Sequence, residues 1–242
     1  MKVCVAQTRP ITGDIQRNIV VHRRLVDLAV SNGAEIVVFP ELSITGYEPT
    51  LADDLATNQN DHRFDIFQII SDTQQVTIGI GVPTKNDSGV CISLMIFQPF
   101  KARELYSKMH LHPDEEKFFV RGQPSGGLIG EDPCAALAIC YELSVPEHAA
   151  NAYKNGADIY IASVAKSVSQ IEKTLERLGQ IALEYSMTVV MSNCIGLSDG
   201  LKCAGRTSVW NREGILLDQI NEIKEGIIVV DTETYSVLQR TI

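Results

Sequence analysis

Three side chains able to do acid–base or nucleophilic chemistry stand immediately after apolar runs that read as buried strands. Phe39-Pro40-Glu41 places a carboxylate beyond one run, Leu105-Tyr106-Ser107-Lys108 an ammonium beyond a second, and Ala138-Ile139-Cys140 a thiol beyond a third. A polar side chain at a strand end sits at the rim of a sheet, where open α/β folds bind ligands. A carboxylate there can move a proton, an ammonium can stabilise negative charge, and a thiol can attack an electrophile. Taken singly, each has an ordinary reading: a solvated turn acid, a surface cation, a small buried apolar group.

Context separates Cys140 from the cysteines at 4, 91, 134, 194 and 203. It is followed by Ser144-Val145-Pro146-Glu147, which has the Ser-x-x-Glu form of a capping box with proline in the first turn. That pattern predicts a tight strand-to-helix turn that exposes the thiol and leaves the Tyr141 N–H free to face an oxyanion. Cys4 and Cys91 fall within or at the start of strands, and Cys194 and Cys203 flank loops. No Cys-x-x-Cys pair occurs among the six. Neither a disulfide framework nor a structural zinc site is expected, and the thiols read as reduced and mostly buried.

The elements that must carry these side chains alternate. Lys2 to Thr8 reads as a strand. Gly13-Asp14 opens a helix whose Val21, Leu25, Leu28 and Ala29 share a face, and Gly33 closes it. Glu35 to Phe39 is a strand ended by Pro40, and Asp61 to Thr73 a helix. Val76 to Val82 and Cys91 to Phe97 form a hairpin across Asn86-Asp87-Ser88-Gly89, and Ala102 to Ser107 continues it. Further strands are expected at Ala135 to Ile139, Ile159 to Ser163 and Thr188 to Asn193. Helices are expected at Pro146 to Asn155 and Val168 to Tyr185. Arg206 to Asn211 pairs with Ile215 to Asp218, and Ile227 to Val230 closes the sheet. This mixture implies α/β layers, and without a composition break residues 1–242 read as one domain.

The bulk composition narrows the function. The chain has 242 residues, 45% hydrophobic and 21% charged, enough for a large core. Its net charge of −9 argues against non-specific binding to nucleic acid or anionic lipid. Met1 to Pro10 turns polar too soon for a signal peptide, and no apolar stretch approaches the roughly 18 residues of a membrane span. A cytoplasmic, membrane-free protein is expected.

The blocks Phe39 to Tyr47, Tyr106 to Leu111 and Ile139 to Glu147 resemble, in order and separation, the signature blocks of the nitrilase superfamily of carbon–nitrogen hydrolases. The flanks are similar too: Met1 to Pro10, Asn193-Cys194-Ile195-Gly196, Gly205 to Trp210, and Gly214. The resemblance implies a four-layer α-β-β-α sandwich with two mixed sheets and a catalytic Glu41–Lys108–Cys140 triad. A second glutamate of many members falls in Asp114 to Gly122, where Glu115 fits best and Glu116 is its neighbour. It also implies a homodimer paired near the helix of the nucleophile, with no metal or organic cofactor.

The chemistry so implied is acyl transfer to sulfur and then to water. Glu41 takes the thiol proton, Lys108 and the Tyr141 N–H hold the oxyanion, and Glu41 returns the proton to the leaving amine. Unperturbed Glu and Cys differ by about 4 pKa units, so that transfer costs roughly 5–6 kcal/mol. Burial of Glu41 and the ammonium beside the thiol are expected to close the gap from opposite sides. Cys140-Tyr141-Glu142 is closer to the amidase and carbamoylase branches than to true nitrilases, which suggests a small amide or N-carbamoyl substrate. The arginine many relatives carry before the helix is replaced within Ser144-Val145-Pro146-Glu147. An acyl transferase, a silent binding relative and a redox-sensing thiol protein are the alternatives. Of five histidines (22, 62, 110, 112 and 148), His110 and His112 lie near Lys108, and the others read as loop or surface residues.

Overall fold

The computed structural model describes residues 1–123, 127–130 and 132–242. The first half runs β1 (Lys2–Gln7), α1 (Ile15–Ser31), β2 (Ile36–Val38), α2 (Ala52–Leu55), α3 (Asp65–Gln74), β3 (Thr77–Asn86), β4 (Gly89–Phe97) and β5 (Glu104–Ser107). There follow β6 (Leu128–Ile129), β7 (Ala135–Ile139), α4 (Pro146–Lys154), β8 (Ile159–Ser163), α5 (Ile171–Tyr185) and β9 (Thr188–Ser192). The chain ends with β10 (Ile195–Ser198), β11 (Leu201–Ala204), β12 (Ser208–Trp210), β13 (Leu216–Gln219), β14 (Gly226–Asp231) and β15 (Val237–Thr241).

Two mixed sheets stack face to face. One has the order β15-β14-β1-β2-β3-β4-β5, the other β13-β12-β9-β8-β7-β6, and β10-β11 form a separate hairpin. Side chains such as Val3, Val5 and Val38 from the first sheet share one core with Ala136, Ala138 and Val190 from the second. The sheets are also tied by polar contacts, Ser192 Oγ to the Ala6 carbonyl at 2.6 Å and Ser163 Oγ to the Phe39 carbonyl at 2.8 Å. Helices α1 and α3 bury Ile19, Leu25 and Phe67 on the outer face of the first sheet. Helices α4 and α5 cover the second with Ala149, Leu178 and Ile181. The layers are therefore helix, sheet, sheet, helix.

Strand direction decides which side chains share a rim. β1, β2 and β3 run parallel, as do β7, β8 and β9. β4 is antiparallel to β3, and β5 to β4, so β5 regains the direction of β2. The C-terminal ends of β2 and β5 thus lie on one edge, three strand spacings or about 14 Å apart. The segment after β2 folds over β3 to shorten that gap, with Phe39 N–H donating to the Gly79 carbonyl and Ile44 N–H to the Gly81 carbonyl. Gly81 has no side chain because none fits: a Cβ would stand 2.2 Å from the Pro40 oxygen.

Several details depart from the pattern in the sequence. The buried face of α1 is Asn18, Ile19, His22, Leu25, Val26 and Ala29, so Val21 and Leu28 lie at its margin. The stripe is rotated because two polar residues point inward. Asn18 Nδ2 donates to the carbonyls of Ile11 and Ile44, both at 2.8 Å. His22 Nδ1–H donates to the Asn18 carbonyl at 2.7 Å, its Nε2 accepts from Ser43 Oγ at 2.9 Å, and its ring stacks on Phe39. Ser144 does not cap α4; its N-cap is Val145 and Pro146 opens the helix without a side-chain cap. β14 is an interior strand, since β15 pairs beyond it, and the β10–β11 hairpin was not visible in the pattern.

Burial lowers the His22 pKa to about 4 from 6.5, because the ring cannot be charged in that setting. The unfolded chain binds the extra proton, so stability is present above pH 6.5 and lost as pH falls toward 4. A shift of that size corresponds to about 3 kcal/mol. Chemical denaturation between pH 7 and 4 should show this loss, with a flatter profile for His22→Gln. Gly81→Ala should lower stability by about 1–3 kcal/mol through overpacking against Pro40; an unchanged denaturation midpoint would contradict the close approach.

Candidate active site

Glu41, Lys108, Glu115 and Cys140 converge where the two sheets share a rim. Lys108 is fully buried, and its Nζ donates to Glu41 Oε1 at 2.9 Å and Glu115 Oε1 at 2.7 Å. Its backbone is fixed at both ends, N–H to the Ile92 carbonyl and carbonyl from the Gly122 N–H. Gly122 closes the acidic segment because a Cβ there would meet the Ser107 carbonyl at 2.2 Å.

Glu115 is held by more than the lysine. Its Oε1 also accepts from the Tyr47 hydroxyl at 2.9 Å, and its Oε2 from the His112 N–H at 2.7 Å. The neighbouring Glu116 is exposed and pairs with Arg121 at 3.1 Å. Glu115 is thus the acid that reaches Lys108. Glu41 is as deeply buried, and its Oε2 has no hydrogen-bond partner among the described residues. One oxygen of that carboxylate is bound by the cation and the other is free to take a proton.

Cys140 opens a short 3-10 turn, Cys140–Ser144, with φ +44°. A side chain other than glycine in this left-handed region is strained by about 1–2 kcal/mol, and surrounding contacts must enforce it. The buried Glu142 does so. Its Oε2 accepts from the Ile139 N–H at 2.8 Å and the Tyr106 hydroxyl at 2.6 Å, while Oε1 accepts from the Met109 N–H at 2.7 Å. One carboxylate therefore ties the Cys140 turn to the residue after Lys108. Behind it, Tyr160 donates to His148 Nδ1 at 2.9 Å, and His148 Nε2 to the Tyr106 oxygen at 3.0 Å. His22 and His148 are thus interior framework residues, contrary to their expected place on loops or the surface.

Electrostatics follow from burial. Burial raises the Glu41 pKa and Glu115 adds to the rise, with Lys108 opposing. Burial alone would lower the Lys108 ammonium, but Glu41, Cys140 and Glu115 outweigh it and raise its pKa. The Cys140 thiol is pushed up to about 11, first by burial and then by Glu41, with Lys166 and Lys108 pulling the other way. The expected depression of the thiol by the ammonium is therefore reversed: desolvation wins. With a pKa so raised, the thiol is the favoured form at neutral pH.

Cys140 and Glu115 line a cavity of about 160 Å³ together with Tyr47, His112, Tyr141 and Lys166. This is below the roughly 300 Å³ at which drug-sized pockets begin, so a small ligand fits. Glu41 and Lys108 lie behind this lining. His112 sets its ring edge-on to Tyr141 at 5.2 Å. Tyr141 is the second residue of the 3-10 turn, where N–H groups lack an intrahelical partner. Sequence reasoning missed Tyr47, Glu142 and Lys166. A signal existed for Lys166, which follows the apolar run Ile159 to Ser163 as Lys108 follows its own strand. All six cysteines are free, and no cluster of metal-ligating side chains occurs among the described residues. Among the described residues no helix is long and apolar enough to cross a membrane.

Comparison with known proteins gives a consistent picture. A family model for carbon–nitrogen hydrolases matches residues 2–237. A Staphylococcus aureus protein named as the hydrolase in agr operon is 25% identical over 247 residues, 99% of this chain and 94% of its own. The 2-oxoglutaramate amidase of Bacillus subtilis is 25% identical over 221 residues, 83% of this chain and 85% of its own. Among solved structures, an amidase from Nesterenkonia sp. AN1 in complex with butyramide has a TM-score of 0.86 at 22% identity. The match covers 96% of this chain and 90% of that one, and it establishes the shared fold.

The two neighbouring glutamates should behave differently when truncated. Glu115→Ala strips a buried cation of one partner and leaves Tyr47 and the His112 N–H unsatisfied, so it should cost on the order of 3 kcal/mol. Glu116→Ala removes an exposed pair and should cost under about 1 kcal/mol. Urea denaturation of both variants measures the contrast, and equal costs would contradict it.

Proposed function

The chain belongs to the carbon–nitrogen hydrolase family of the nitrilase superfamily, and on that premise we propose that it hydrolyses a small amide through a thioester on Cys140. The observation that carries this reading is the buried Glu41–Lys108–Glu115 cluster beside the Cys140 thiol, which with Glu115 lines a cavity suited to a small acyl group. The protein named as an amidase of 2-oxoglutaramate and the amidase captured with butyramide are consistent with that substrate class.

In the proposed reaction the sulfur attacks the amide carbon as Glu41 takes its proton. A thiol with a pKa near 11 requires this coupling, because free thiolate is scarce at neutral pH. Raising the Glu41 pKa makes it a stronger base for that step and a competent acid for the next. Negative charge grows on the carbonyl oxygen. Lys108 has three N–H donors, of which two are spent on carboxylates, and the third with the Tyr141 N–H can stabilise the oxyanion. Glu41 then protonates the departing amine, the C–N bond breaks, and an acyl thioester remains. Water attacks the thioester as Glu41 again accepts a proton, which returns to sulfur when the acid leaves. Glu115 anchors Lys108 throughout.

A panel of small aliphatic amides and N-carbamoyl compounds should reveal ammonia release, with a mass increase on Cys140 equal to the acyl group. Glu41→Gln should lower kcat/KM by about 10²–10⁴-fold while leaving the fold intact by circular dichroism. Cys140→Ala should abolish both turnover and adduct. Turnover by Glu41→Gln at the parental rate, or release without Cys140, would defeat this mechanism.

A further inference from the structure

Lys166 is a buried cation that the mechanism does not use. It lies three residues beyond β8, the strand paired in parallel with β7, where Ile139 stands opposite Ser163. Its backbone is clamped: N–H to Asn193 Oδ1 at 2.9 Å, carbonyl from the Ala204 N–H at 2.9 Å and from Asn193 Nδ2 at 3.4 Å. The residue is 9% exposed, yet its ammonium makes no hydrogen bond and no salt bridge among the described residues. Lys108, by contrast, has two carboxylates. An ammonium this enclosed, on a cavity lining and without a carboxylate partner, is a place where a ligand can supply the charge.

The surroundings fit that explanation. Lys166 lines the cavity of Cys140 and also an adjoining outer recess of about 560 Å³, the two sharing His112, Tyr141 and Gln170. Lys173 and Arg177 line the outer recess with Glu176 as its acid, Arg177 also pairing with Glu184 at 3.9 Å, and with Lys166 they make the lining basic on a chain of net charge −9. Asp114 and Asp199 line the inner cavity, but neither forms a salt bridge to Lys166. The Cys140 thiol feels the Lys166 charge, so the ammonium is within electrostatic reach of the reacting sulfur. A basic approach of this kind raises the local concentration of anions.

We propose that Lys166 is the anion subsite of this cavity and that the substrate is an amide bearing a carboxylate a few bonds from the scissile carbonyl, such as the monoamide of a short dicarboxylic acid. This rests on the reading that Cys140 attacks an amide in the same cavity, and it adds the charge of the substrate and the residue that selects it.

The test compares succinamate, the monoamide of succinate, with the neutral butyramide of equal chain length. The full-length protein should favour succinamate. Lys166→Met should reduce the ratio of kcat/KM values for the two amides by about 10–100-fold, with the loss carried by KM. Lys166→Arg, which keeps the charge, should restore much of it. Equal losses on both amides would overturn the proposal, because Lys166 would then serve the sulfur or the fold; so would an unchanged ratio. Calorimetry on Cys140→Ala measures binding without turnover and should give tighter binding of succinamate than of butyramide, lost on adding Lys166→Met. Absence of that preference refutes the subsite even if neutral amides are hydrolysed. Preferential binding with no turnover of any amide by the parent protein upholds the subsite and refutes the hydrolase reading.

Discussion

The site is organised around one ammonium removed from water. Lys108 is fully buried, and its desolvation is tolerable only because Glu41 and Glu115 both bond its Nζ. The three groups therefore fix one another: the cation needs both acids, and each acid needs the cation. That mutual dependence draws the end of β2 to the end of β5 and the segment after His112, which lie more than sixty residues further along the chain. It also divides the two carboxylates by environment. Glu115 is saturated by Tyr47, Lys108 and the His112 N–H, while Glu41 keeps one oxygen unpartnered and a raised pKa. The same chemical group is fully bonded in one position and keeps a free oxygen in the other.

A second carboxylate performs the equivalent task for Cys140. Glu142 bonds the Ile139 and Met109 N–H groups, so the strained Cys140 backbone and the residue after Lys108 move as one unit. The Tyr160–His148–Tyr106 chain leaves no polar group of that network unsatisfied, which is what a buried network requires to rigidify a site. On the other side, His22 and Asn18 brace the Glu41 loop from α1. The reacting groups are thus supported from both sheets and from an outer helix, as preorganised electrostatic stabilisation demands.

Burial also sets the protonation chemistry in a direction simple charge counting does not give. Two lysines pull the Cys140 thiol toward ionisation, yet desolvation and Glu41 push it up further. A cavity dry enough to strengthen an oxyanion contact is dry enough to keep a thiol neutral. In the proposed reaction the sulfur is therefore ionised during attack instead of before it, and the raised pKa of Glu41 suits that step.

Much of this was legible in the chain. Strand runs such as Ala135 to Ile139 and Ile159 to Ser163 appear in the structure with those bounds, because continuous apolar stretches have few alternatives once buried on both faces. The order of the three motif blocks carried the family and the layered fold. Short strands with polar edges, as in β10, β11 and β15, left no periodic trace, and the inward turn of Asn18 and His22 rotated a helix face the apolar pattern placed otherwise. Residue type and position singled out Glu41, Lys108 and Cys140, and the family resemblance added Glu115 with Glu116 left beside it. Packing alone decided that Glu115 and not Glu116 meets the cation, that burial pushes the thiol pKa up, and that Lys166 lines the cavity without a salt bridge among the described residues. Local sequence specifies which groups stand at strand ends; their distances, solvation and partners arise only when segments remote in the chain exclude water between them.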